Sequence, residues 1–143
     1  MPIQHLTPEE AKALLEQDPE AVYVDVRSVQ EFAAGHPEAA KNIPLLNRGP
    51  FGMEPNGEFL VVVKKVFKPG QKLLIGCQVG GRSLKASMML DQNGFTQVFN
   101  VVGGFGGGQH PETGDMVAGW KAAGLPVNQE NGEGVSYESL KAR

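Results

Sequence analysis

A single cysteine, Cys77, excludes an internal disulfide and any zinc cluster built on cysteine. Histidine is nearly as scarce. His5, His36 and His110 stand far apart and none has metal-ligand spacing with another, so no metal site is expected. Long apolar runs are also missing, and none approaches the roughly 20 residues needed to cross a bilayer. The N-terminal Met1-Pro2-Ile3-Gln4-His5 lacks the basic and then apolar regions of a signal peptide, which makes a cytoplasmic location the default expectation. An excess of positive charge is absent too. Thirteen basic against sixteen acidic side chains leave a net charge of −3, which argues against nucleic acid or an anionic membrane as a partner. What remains is 143 residues, 41% apolar and 20% charged, which suits one soluble domain with a sizeable core.

Strand and helix patterns alternate along the chain. Thr7, Pro8 and Glu10 start a helix with a capping box, and Asp18-Pro19 ends it. Val22, Val24 and Val26 alternate with polar neighbours as a strand does. Ser28 caps a second helix with Glu31 three residues on, and Gly35 stops it. A short strand is expected over 40–43. Residues 45–56, rich in Gly, Pro and Asn, read as a long loop. Phe59, Val62, Val63, Val66 and Phe67 fall at helical spacing, and Pro69-Gly70 terminates that helix. A buried strand over 72–76 leads through the Cys77 loop into a helix over 84–93. Another strand is expected over 97–102, followed by the glycine run 103–108, a helix over 115–123 and a short strand over 125–127. Residues 128–143 are polar and read as a C-terminal tail beyond a domain of residues 1–127, with Tyr137 and Leu140 able to anchor it. This alternation predicts an α/β fold with a mostly parallel sheet, whose ligands collect beyond the carboxyl ends of the strands.

Cys77-Gln78-Val79-Gly80-Gly81-Arg82-Ser83 lies at such an end. Gly80 and Gly81 permit close backbone approach, Arg82 can brace the loop or meet an anion, and Ser83 can cap the following helix. Loop N–H groups and a helix N-terminus favour negative charge, so a thiol held there is biased towards thiolate, the reactive form. Asp25, Arg27 and Glu31 read as structural support, with Arg27 and Glu31 spaced to pair around a helix start. His36, between Gly35 and Pro37, reads as a turn residue. The glycine run lacks the lysine and Ser/Thr ending of a phosphate-binding loop and reads as a close-packing turn.

Four segments together resemble the rhodanese family. Val24-Asp25-Val26-Arg27 with Glu31-Phe32 and Gly35-His36 is similar to its first signature, and Ala40-Lys41-Asn42-Ile43-Pro44 to the continuation. The Cys77 loop is similar to its active-site loop. Gly103-Gly104, Trp120 and Gly124-Leu125-Pro126-Val127 are similar to its C-terminal signature. The resemblance spans about residues 7–127. It implies a rhodanese-like sheet of about five mostly parallel strands with helices on both faces. It also implies a sulfurtransferase with Cys77 as nucleophile. A small sulfur-containing anion such as thiosulfate would be the donor, and cyanide, a small thiol or a protein thiol the acceptor. The residues holding the persulfide would be Gln78, Val79, Gly80, Gly81 and Arg82, with Ser83 in support and no cofactor. Two other readings stay open. One is a non-catalytic binding, regulatory or persulfide-carrier module. The other is a cysteine phosphatase or arsenate reductase, whose related enzymes place one residue more between cysteine and arginine than the four found here. The stretch 105–119 lengthens the spacing from the double glycine to Trp120 beyond the family pattern.

Overall fold

The computed structural model describes residues 3–143. Its centre is a five-stranded, wholly parallel sheet in the order β1 (Gln4–Leu6), β8 (Val98–Val101), β7 (Leu73–Gly76), β2 (Val22–Asp25) and β4 (Lys41–Asn42). The central strand β7 is buried at every position, as a parallel strand covered on both faces must be. Side chains alternate across the sheet. Val24, Leu73 and Ile75 face a core shared with α3 (Phe59–Val66), α4 (Gly81–Gln92) and α5 (Tyr137–Lys141). Tyr23 and Leu74 face a second core with Ala11 of α1 (Pro8–Gln17), Phe32 of α2 (Val29–Ala34), and Trp120. The α/β, rhodanese-like expectation of about five parallel strands with helices on both faces holds.

The first two helices begin where their sequence grammar says. Thr7 with Glu10 and Ser28 with Glu31 each complete a capping box. The strand at the edge, β1, was not anticipated. It is three residues of mixed polarity, and only the neighbouring β8 makes it a strand.

Three expectations are corrected. Residues 45–56 are mostly a hairpin, β5 (Leu46–Gly49) against β6 (Gly52–Pro55), closed by Pro50-Phe51 with Gly52 at φ 117°. The expected helix over 115–123 is instead β10 (Met116–Val117), paired antiparallel with β9 (Gly108–Gln109), followed by turns. Gly119 explains the failure. Its missing side chain lets the chain press on the backbone of Phe105 and Gly107, an approach that outweighs one turn of helical spacing. His36 is not a turn residue. It lies in β3 (His36–Pro37), paired antiparallel with β11 (Val127–Asn128), and it is buried with its ring stacked on Phe32 at 3.6 Å between centroids. Residues 128–143 carry β11's last residue and α5, and Tyr137 and Leu140 anchor them in the main core, as their spacing allowed.

Candidate active site

Cys77 follows β7 directly and is 1% exposed. Its thiol is enclosed by the start of α4. The Gly80 and Ser83 N–H groups donate to Sγ at 3.0 and 3.3 Å, and the S–H donates to Ser83 Oγ at 3.4 Å. Gly80, not Ser83, is the N-cap of α4, and Ser83 is already inside the helix. The helix therefore starts closer to the cysteine than the expected 84–93. The cap sits at φ 117°, a left-handed conformation that glycine supplies without strain. That turn is what points the Gly80 N–H back at the sulfur. Gly81 has ordinary φ, and a Cβ there would meet open space. Val79 is 60% exposed at the loop tip.

The three residues expected to support the loop do converge on it, but in other pairs. Arg27 does not pair with Glu31. Its guanidinium bonds Asp25 at 2.8–3.0 Å and the Gly35 carbonyl at 2.7 Å, and it donates to Gln78 Oε1 at 3.1 Å. It also lies 4.5 Å from the centre of the Phe105 ring. Asp25 is two residues away on the same chain turn and equally buried, so burial selects the near partner. Glu31 instead takes both guanidinium N–H groups of Arg82, at 2.6 and 3.0 Å, while still closing its capping box with Ser28. The Arg82 guanidinium, helped by the Ser28 N–H, holds the Glu31 carboxyl at about 2, well below the usual carboxylate value and against the opposing effect of burial. Arg82 is thus a strut between α2 and the cysteine loop.

The glycine run forms the outer wall of the loop. Phe105 N–H donates to the Cys77 carbonyl at 2.7 Å and Gly106 N–H to the Gln78 carbonyl at 2.8 Å. These bonds pull the loop carbonyls outward and leave N–H groups to face the sulfur. Cβ atoms at Gly104, Gly106 and Gly108 would collide with the Cys77 carbonyl, Gln78 and the Val79 carbonyl. The alternation of these three glycines was a readable signal of one backbone laid along another.

Beside the loop is a cavity of about 650 Å³ lined by Arg27, Glu31, Gly35, Gln78, Phe105 and Lys121. Sequence reasoning missed Phe105, held beside the loop by its N–H bond to the Cys77 carbonyl, and Lys121, whose N–H bonds the Phe105 carbonyl. It also missed Asn100, which accepts from Ser83 Oγ at 2.7 Å. Asn100 looks like an ordinary strand residue until its neighbour across the sheet is known. Among the described residues no group of three or more His, Cys, Asp or Glu could hold a metal ion, and no helix is long and apolar enough to cross a membrane.

The Rhodanese-like domain profile matches residues 7–110. The chain is 40% identical over 105 residues to "Thiosulfate sulfurtransferase 16, chloroplastic" of Arabidopsis thaliana, covering 73% of this chain and 78% of that protein. It is 39% identical over 126 residues to "Thiosulfate sulfurtransferase 18" of the same plant, covering 87% and 82%. Among solved structures, Rv0390 from M. tuberculosis superposes with a TM-score of 0.74 at 28% identity, over 91% of this chain and all of that one. The chain belongs to the rhodanese-like domain family.

Proposed function

We propose that this rhodanese-family chain is a sulfurtransferase that carries sulfane sulfur as a persulfide on Cys77, from a small anionic donor such as thiosulfate to a thiophilic acceptor. The observation that carries the reading is the setting of Sγ, with two backbone N–H donors and the N-terminus of a twelve-residue helix aimed at it. Negative charge on sulfur is favoured there, both on the thiolate and on the persulfide that replaces it. The relatives named thiosulfate sulfurtransferase support the donor class.

The thiolate attacks the outer sulfur of thiosulfate. A Cys–S bond forms, the S–S bond of the donor breaks, and sulfite departs with the bonding electrons. The acceptor, cyanide or a thiolate, then attacks the terminal sulfur, and Cys77 recovers its electron pair as thiolate. No cofactor enters this balance. The near-complete burial of Cys77 restricts attack to a donor that presents a terminal sulfur. Lys121, exposed on the cavity lining, places positive charge beside the loop, whereas the Arg27 charge is balanced by Asp25. A phosphoryl-transfer reading would need Arg82 on the substrate, whereas its guanidinium is held by Glu31.

The test is chemical. Protein incubated with thiosulfate should gain one sulfur atom by intact mass, lose it to cyanide as thiocyanate, and gain none as Cys77→Ser. Turnover of an aryl phosphate with no sulfur gained on Cys77 would overturn the reading. A Cys77→Ser variant that keeps full biological function would favour the non-catalytic module.

A further inference from the structure

A line of polar side chains runs from the buried thiol to the edge of the sheet. Ser83 Oγ accepts the Cys77 S–H and donates to Asn100 Oδ1 at 2.7 Å. The Asn100 amide nitrogen lies 3.1 Å from His5 Nδ1, its register partner on the neighbouring strand. Ser83 and Asn100 are buried and His5 is half-buried. The His5 ring meets His110 edge-on at 5.4 Å. Glu112 on the same excursion, and Asp91 and Gln92 of α4, line the small cavity beside it.

The Ser83 hydroxyl has one hydrogen and three acceptors in reach: Asn100 Oδ1 at 2.7 Å, the Gly80 carbonyl at 3.1 Å, and Sγ at 3.4 Å. An amide has one donor end and one acceptor end, so what His5 asks of one end fixes the other. Neutral His5 accepts at Nδ1 as its Nε2–H tautomer, the one that an amide nitrogen at 3.1 Å calls for. The Asn100 nitrogen must face it, Oδ1 faces Ser83, and the hydroxyl points away from sulfur. Burial lowers the His5 imidazole from its ordinary value, opposed by Glu112 and assisted by His110, which favours this neutral arrangement. A proton on Nδ1 would set two donors face to face. The amide then turns over, its nitrogen donates to Ser83 Oγ, and the hydroxyl hydrogen goes to the strongest acceptor left, an anionic sulfur.

We infer that Asn100 is a positioning residue for Cys77, acting through the Ser83 hydroxyl, and that the protonation of His5 selects which way Asn100 faces. With His5 neutral the hydroxyl is held on Asn100 and Sγ keeps only its two backbone N–H donors. With His5 charged the hydroxyl turns to sulfur and gives the thiolate, or the persulfide anion, a third donor. The inference rests on Cys77 being the reactive group, but not on sulfur being what it transfers.

The experiment measures alkylation of Cys77 by iodoacetamide against pH, which needs no sulfur donor. Asn100→Ala frees the hydroxyl for sulfur. Its alkylation midpoint should fall by about one pH unit relative to the natural chain, the worth of one hydrogen bond to a charged group. In a Ser83→Ala background, which keeps the Ser83 N–H, the same Asn100→Ala change should shift nothing. His5→Phe, at the sheet edge, removes the acceptor for the amide and should move the midpoint in the same direction; it serves if Asn100→Ala does not fold. An unmoved midpoint in folded Asn100→Ala or His5→Phe overturns the inference. So does a shift that survives the loss of the Ser83 hydroxyl, which would make the effect one of field alone. A chain that shows these shifts yet takes no sulfur from thiosulfate refutes the proposed function and leaves the positioning role intact.

Discussion

Gly80 and Gly81 are adjacent, equally small and differently constrained. At Gly80 the backbone turns at φ 117° so that its N–H reaches Sγ; at Gly81 the dihedral is ordinary and a Cβ would point into open space. A side chain at a left-handed position costs about 1–2 kcal/mol. Gly80→Ala should therefore destabilise the fold by about that amount and, by turning the N–H away, slow sulfur uptake from thiosulfate at least tenfold. Gly81→Ala should leave the denaturant midpoint and the uptake rate near those of the natural chain. Equal effects of the two substitutions would show that the turn at Gly80 does not serve the sulfur. Gly104, at φ 51° with no room before the Cys77 carbonyl, acts on the loop from behind. Gly104→Ala should cost stability and uptake together, because it displaces the very carbonyl that Phe105 N–H holds.

At the scale of elements, α2 and the cysteine loop are joined by the Glu31–Arg82 pair. Glu31 titrates lower folded than unfolded, so the sign is that of a depressed carboxylate. Its contribution is fully present above the ordinary value near 4.5 and fades as pH falls towards about 2. With the carboxylate a third exposed, solvent screening reduces this contribution to about 1 kcal/mol. Denaturant unfolding followed from pH 6 down to roughly pH 2 should show this loss in the natural chain and not in Glu31→Gln. A double-mutant cycle with Arg82→Gln should return a coupling of similar size at pH 7, and additive single effects would remove the strut. The partner of Glu31 was not legible in the sequence. Arg27, four residues away, had the right spacing, and only the approach of α2 to the Cys77 loop brings Arg82 closer. The elements that were legible are those with local determinants, such as the two capping boxes and the apolar alternation of β2. The elements misread over 45–56 and 115–123 are set by glycine, through the turn at Gly52 with φ 117° in the first and the close backbone approach at Gly119 in the second, and neither leaves an apolar period to read. The thiol, the loop and the anion-friendly helix start were plain from residues 72–83. The Asn100–His5 link was hidden because it depends on register between two strands far apart in sequence.

For the whole molecule, the last sixteen residues are bound to the body at several places. His36 bonds the Glu130 carbonyl at 2.6 Å, Lys41 Nζ the Gly134 carbonyl at 2.7 Å, and Asn42 N–H the Val135 carbonyl at 3.0 Å. Leu140 is fully buried against the core that also holds Cys77, and the Tyr137 hydroxyl meets the Asn56 amide at 3.0 Å. Asn42 makes this more than a local attachment. Its side-chain nitrogen bonds the Asp25 and Arg27 carbonyls, the turn that carries the Arg27 guanidinium to Gln78. A free tail would be removable at no cost. This arrangement predicts that truncation after Val127 lowers the melting temperature steeply and reduces sulfur uptake through the Asn42 turn. Leu140→Ala should reproduce the stability loss, about 2–5 kcal/mol by denaturant unfolding, as expected for a fully buried leucine. Because Leu140→Ala leaves the Asn42 side-chain bonds to the Asp25 and Arg27 carbonyls in place, its variant should keep near-natural uptake per folded molecule. A truncated chain that melts with the natural one and takes up sulfur at the same rate would show that residues 128–143 contribute to neither.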